Sequence, residues 1–234
     1  FHSCLQSVLM LLLFFVSSAL VAAASAACSQ TQMNTIVKCY TDYNKAYGVK
    51  DQFPPFNQDF FEGFHRARSN MMNAGGISAK PAIMQYGSAL TDCLKPVADC
   101  IEDTTFEQAP LLASPGDGHK FNVDRVETAY ECTEPGYSYQ MRHFYCIDHF
   151  KHDPTEINHP KLTKCNDDMN AATDPTKNPT DAQKCKAYQD NTECYRQVFT
   201  DVCQAEEAGE FYCMLVSQEF RLWVPTCAFD CKKH

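Results

Sequence analysis

The sequence has no run of alternating apolar and polar residues long enough to make a half-buried strand, which points away from β architecture. It lacks a C-x-x-C redox motif and a G-x-S-x-G nucleophile elbow, since Gly87-Ser88 falls inside an apparent helix without that pattern. Glycine-rich phosphate loops are missing too: Pro115-Gly-Asp-Gly-His-Lys120 fits neither the P-loop nor the dinucleotide pattern and reads as an ordinary turn. No N-x-S/T sequon survives, because Asn178 is followed by proline, so N-glycosylation is not expected. Basic residues come in pairs only, such as Arg66 with Arg68 and Lys232 with Lys233, and pairs of this kind read as solvated surface. A net charge of −9 argues against nucleic acid and other polyanions as partners.

What is present begins with an apolar run from Val8 to Val16, a softer stretch to Val21, and alanines in an A-x-A setting at Ala22 to Ala26. This predicts a secretory signal peptide over residues 1–26, with the mature chain starting between Ser25 and Cys28. No Lys or Arg precedes the run and residue 1 is Phe, so the basic leader start and the initiator Met are expected to be missing. An uncleaved anchor from Leu5 to Ala27 is the alternative, and the small-residue end argues against it. Later stretches are too short or too polar to span a bilayer, so a secreted, extracellular protein with no membrane span after signal removal is expected. The remaining roughly 200 residues suit one domain with its own core.

Apolar residues then recur at three- and four-residue steps. Met33, Ile36, Val37, Tyr40, Tyr43 and Tyr47 predict a helix from Gln30 to Tyr47, closed by Gly48. Asn57 is the expected cap of a second helix carrying Phe60, Phe61, Phe64 and Met71 and stopping at Gly75-Gly76. Pro81 suits the first turn of a third, which Pro96 ends or kinks. Residues 108–120 read as irregular, Val123 to Glu131 and Tyr139 to about Lys151 as helices. Asp153 to Thr180, with four prolines and almost no large apolar residue, reads as a polar loop or linker dividing residues 27–152 from residues 181–234 of the same domain. Helix returns with Tyr195, Val198, Phe199 and Val202, then Phe211, Leu215, Val216 and Phe220, and Gly209 is the expected divider. The predicted class is all-α.

Fourteen cysteines are the main chemical signal. Cys185, Cys194 and Cys203 are nine residues apart, so on one helix each step rises about 13 Å and turns half-way round. Neighbours in that series cannot bond, because a disulfide needs Cα atoms within about 7 Å. Cys185 and Cys203 are expected to leave one side of the helix and Cys194 the other, each toward a different element. Cys28 and Cys39 should likewise reach one partner at two heights. Tetrahedral zinc asks for ligands two to four residues apart, and Cys227-x-x-x-Cys231 is the one such cysteine pair. Disulfides are therefore expected, and the candidates are Cys28, Cys39, Cys93, Cys100, Cys132, Cys146, Cys185, Cys194, Cys203, Cys213, Cys227 and Cys231. Loss of Cys4 with the signal leaves an odd number. Cys165, in the polar insert, is the expected odd thiol, and a disulfide-linked dimer through it is the corresponding expectation.

The stretch CSQTQMNTIVKCYTDYNKAYG, the GGI element followed by CLKPVADCI, the YEC and FYC elements around Cys132 and Cys146, and YQDNTECYRQVFTDVCQAEEAGEFYC with VPTC resemble the nematode family of secreted cysteine-rich proteins built on domain of unknown function 19. The resemblance covers nearly the whole mature chain except Asp153–Thr180, and Cys165 and Cys231 are additional to its pattern. It implies an extracellular domain without established enzymatic chemistry.

The richest ligand cluster is His143, Asp148, His149, His152 and Asp153, where two histidines three apart could share a metal. A helix end is the simpler reading of the same histidines, and no metal or other cofactor is expected. Paired carboxylates at Glu206-Glu207 and Asp167-Asp168 read as solvated faces. The aromatics at helical spacing read as core packing rather than as a lipid cavity. The sequence thus predicts a non-enzymatic secreted protein acting on an unknown extracellular protein by contact. A small-lipid carrier and an unrecognised hydrolase are the alternatives.

Overall fold

The computed structural model describes residues 27–49, 58–147 and 160–231, apart from the side chains of residues 58–60. The signal peptide, the Asn57 cap, Lys232 and Lys233, and the ligand candidates Asp148, His149, His152 and Asp153 all lie outside the described residues. Among the described residues the regular structure is helical and no strand occurs.

Helix α1, Gln30–Ala46, starts at a capping box between Ser29 and Gln32 and buries Met33, Ile36, Cys39, Tyr40 and Tyr43. Tyr47 caps its end and Gly48 follows at φ +76°, a left-handed turn that glycine adopts without a Cβ penalty. Helix α2, Gln58–Gly75, packs Phe61 and Phe64 against α1, and α3, Lys80–Leu94, has Pro81 in its first turn as expected. Past Leu94 the chain tightens into a 3-10 segment, Lys95–Cys100, at Pro96. A short α4, Asp103–Glu107, precedes α5, Gly118–Glu131. α5 begins five residues before the expected Val123, and at its first position Gly118 lies so close to the Asp103 carbonyl that a Cβ there would collide with it. α6, Gly136–Arg142, is shorter than expected, and a turn at His143 separates it from helical residues 144–147.

The polar insert is the largest correction. Pro160–Thr173 forms a helix, α7, which packs along α8 and buries Leu162 and Cys165. Pro160 does not break this helix. It occupies the first helical position, where its missing N–H costs nothing. α8, Asp181–Cys203, is a single 23-residue helix with a capping box of Thr180 and Gln183, and α9 is Glu206–Trp223. The divider is Gln204, left-handed at φ +50°, and not Gly209. Gly209 lies inside α9 where a Cβ would collide with the Arg196 carbonyl and the Thr200 hydroxyl of α8. Its hydrogen side chain is what lets α8 and α9 pack so closely.

Six disulfides close the structure: Cys28–Cys100, Cys39–Cys93, Cys146–Cys203, Cys165–Cys194, Cys185–Cys227 and Cys213–Cys231. The three cysteines of α8 each bond outside it, to the C-terminal segment, to α7 and to residue 146. Cys28 and Cys39 both reach the α3 and 3-10 region. The odd thiol is Cys132, which is buried and unpaired, and not Cys165, whose bridge to Cys194 leaves nothing for an intermolecular link. Cys132 Sγ fills the space that Gly87 of α3 leaves open, and Ser88 Oγ donates to the Cys132 carbonyl at 2.7 Å. Burial pushes the thiol up to about 12.

Two apolar clusters result. One gathers α1 to α5 around Tyr40, Phe64, Phe106, Leu111 and Phe121, with the Phe106 and Phe121 rings stacked at 5.4 Å. The other gathers Val198, Phe199, Phe211 and Leu215 from α8 and α9 with Leu162 and Cys165 from α7. The core aromatics pack on one another and so fill the interior. α5 and α9 join the clusters through two stacked pairs, Tyr130 on Phe211 at 5.6 Å and His119 on Trp223 at 5.2 Å. Arg68 also departs from expectation: it reaches Asp124, 4% exposed, at 3.4 Å and Thr128 Oγ1 at 3.4 Å. Burial pulls its pKa down, and Asp124 with Tyr43 more than reverses the effect.

The pairing makes two predictions. Cys165→Ser, Cys194→Ser and the double variant should lose the same stability, about 3–4 kcal/mol for a bridge spanning 29 residues, in a denaturant titration. Unequal losses would mean the two cysteines have other partners. Among the described cysteines, alkylation without reductant should label Cys132 after unfolding and leave it unlabelled in the native protein.

Candidate contact surface

The surface begins where α6 ends. Phe144 turns inward and is 4% exposed, whereas Tyr145, about 100° further round the helix, is 76% exposed. Cys146 then fixes this segment to Cys203 at the end of α8. On the far side of the bridge Val202 is 37% exposed. The Cys146–Cys203 disulfide therefore has an exposed apolar side chain beside each half-cystine.

Ion-paired residues adjoin both segments. Arg142 grips Glu207 of α9 through Nε at 2.7 Å and Nη2 at 3.0 Å, and His143 Nε2 lies 2.9 Å from the same carboxylate. Tyr139 Oη donates to Glu210 at 3.0 Å while its ring lies under the Arg142 guanidinium at 5.2 Å. Lys161 of α7 pairs with Asp201, next to Val202, at 3.3 Å. Hydrogen bonds from Arg142 and then His143 hold the Glu207 carboxyl below the usual range. Exposed apolar side chains together with paired charges of both signs suit a protein contact site.

The other predicted residues are placed as follows. Glu206 and Glu207 lie on a solvated face, 44% and 42% exposed, and each is also ion-paired there: Glu206 binds Arg196 at 3.0 Å and Glu207 makes the clasp above. Asp168 pairs with Lys164 on the exposed face of α7, as a solvated carboxylate would. Of the proposed ligand cluster only His143 is described, and Glu207 occupies it. Among the described residues no three His, Cys, Asp or Glu side chains are arranged to hold a metal ion. Tyr145 carries no mark in the sequence, and Val202, expected on the apolar stripe with Tyr195, Val198 and Phe199, is exposed instead, while Val198 and Phe199 are buried.

A second polar cluster lies at the seam between α4, α5 and α9. His119 Nδ1 is 2.8 Å from Asp103 Oδ2, Asn122 Nδ2 donates to Asp103 Oδ1 at 2.8 Å, and Arg125 donates to Asn122 Oδ1 at 3.0 and 2.7 Å. Each group orients the next, and the last presents the imidazole to Trp223. Burial pushes the Glu219 carboxyl of α9 up, and the charge of His119 opposes that shift. This chain positions an aromatic contact between the two clusters.

Protein-family models, curated proteins and solved structures contain no match to the chain.

The two carboxylates have opposite consequences for pH. Folded Glu219 holds its proton to higher pH than the unfolded chain does, so stability falls as pH rises from the ordinary value of 4.5 through the folded pKa. Glu219→Gln should therefore raise Tm at pH 7 and leave it unchanged at pH 4. Folded Glu207 releases its proton more readily, so its contribution is full above 4.5 and is lost as pH falls further. Glu207→Gln should lower Tm at pH 7, by an amount that shrinks toward zero on acidification. Thermal melts at the two pH values check both signs.

Proposed function

We propose that the chain is a secreted, non-enzymatic domain that acts by contact with another extracellular protein through the Tyr145 surface. The observation that carries this reading is the 76% exposure of a tyrosine whose next residue is bridged to α8. A ring presented from a covalently fixed backbone loses little conformational freedom on binding, and tyrosine is among the residues that dominate contact energies. Six disulfides support an oxidising compartment, and no described helix is long and apolar enough to cross a membrane. The resemblance to the nematode cysteine-rich family supports the same compartment and the absence of catalytic chemistry.

Immobilised protein and its Tyr145→Ala variant, exposed side by side to the same extracellular fluid, test the reading. A partner should be retained by the first and lost from the second, while the variant keeps its stability within about 0.5 kcal/mol, as exposed substitutions do. Identical retention by both proteins would remove Tyr145 from the contact.

A further inference from the structure

The polar cluster at the seam borders an open hollow of about 370 Å³, which lies between the start of α4, the middle of α5 and the last turn of α9. Its buried lining residues, Ile101 and Asn122, form the floor. Glu102, Asp103, Thr104 and Arg221 stand around them.

The charges lining this hollow are not spent on one another. Arg221 makes one long hydrogen bond, from Nη1 to Gln218 Oε1 of its own helix at 3.4 Å. Among the described residues no carboxylate lies within ion-pair distance of it, although Glu102 and Asp103 line the same space. Its remaining N–H groups are therefore available to a molecule that enters. Asp103 is held still, because Oδ1 accepts from Asn122 and Oδ2 meets His119 Nδ1, each at 2.8 Å. Each of these oxygens has a second lone pair to offer.

Beside the hollow lies Trp223, the sole tryptophan of the chain and 41% exposed. Its ring rests on the His119 imidazole, with centroids 5.2 Å and planes 24° apart, and that imidazole is the one Asp103 holds. The exposed indole and the polar hollow are thus fixed relative to each other through a single histidine.

Together these features select a ligand. A carboxylate only accepts and a guanidinium only donates, so a ligand that serves both must carry donors and acceptors close together. An anion would meet Glu102 and Asp103, and a cation would meet Arg221. Hydroxyl groups donate and accept without charge, and a sugar ring adds to them an apolar C–H face that suits an indole. We propose that the hollow between α4, α5 and α9 binds a neutral carbohydrate. Its hydroxyls accept from Arg221 and donate to Glu102 and Asp103, and its ring lies against Trp223. The site stands independently of the Tyr145 surface.

Because Trp223 is the sole tryptophan, its emission reports on this site alone. The probes are maltotriose, cellotriose and triacetylchitotriose, with trigalacturonic acid as the anionic counterpart, each titrated into the intact protein. At least one neutral trisaccharide should shift the emission saturably, and trigalacturonic acid should bind about tenfold more weakly than it does. Arg221→Gln removes the guanidinium donors, and Thr104→Leu fills the hollow from an exposed position. Each should weaken the neutral sugar about tenfold with Tm unchanged, while Tyr145→Ala should leave the response as it is. No saturable shift with any neutral trisaccharide would overturn the proposal. Equal binding of trigalacturonic acid would do the same, as would a response that both Arg221→Gln and Thr104→Leu leave intact.

Discussion

Three of the six disulfides leave one helix, and the rest of the C-terminal half is arranged around that fact. Helix α8 is long enough for cysteines nine residues apart to emerge at three heights on alternating sides. Each bridge then sets the position of a different neighbour. Cys194 holds α7 along one flank, Cys185 holds the tail around Cys227, and Cys203 holds the segment that carries Tyr145. The tail adds a fourth bridge from Cys231 to Cys213 of α9. A helix fixed at three heights cannot rotate or slide without breaking a covalent bond, and this is why its neighbours can carry small residues, as at Gly209, without collapsing onto it.

The chemistry between the two halves is of another kind. Across the α5 and α9 seam the contacts are aromatic stacks and a graded set of hydrogen bonds from Arg125 through Asn122 and Asp103 to His119. Such contacts depend on solvent and pH in a way that disulfides do not. Glu219 adds to this dependence, because it is a carboxyl held away from water where the seam meets Trp223. Stability at this seam is therefore adjustable, while stability within each half is largely fixed by covalent bonds.

Much of the fold was legible because it rests on period and spacing. The stripe from Met33 to Tyr47, the proline at the start of α3 and the geometry of Cys185, Cys194 and Cys203 all follow from helical rise and turn. What was not legible depended on partners distant in sequence. The α7 stripe of Leu162, Cys165 and Met169 is too thin to be seen until α8 supplies the other side, and its prolines look like breakers until Pro160 is known to sit at the first position. Arg68 resembles a surface residue until α5 brings Asp124 to it. Cys132 belongs to a motif that suggests pairing, yet the nearest space for its sulfur is above a glycine. For the contact surface, the sequence held the bridge but not the direction in which Tyr145 points.

Among the thirteen described cysteines no bridge crosses between the halves: two pairs lie between Cys28 and Cys100 and four between Cys146 and Cys231. Under tension the oxidised chain is thus two knots joined by one cord. Only the stretch from Ile101 to Tyr145 can pay out between them, and fully extended it spans at most about 150 Å. A load applied through the ends would part the α5 and α9 seam, draw that cord to its limit and then stop at sulfur.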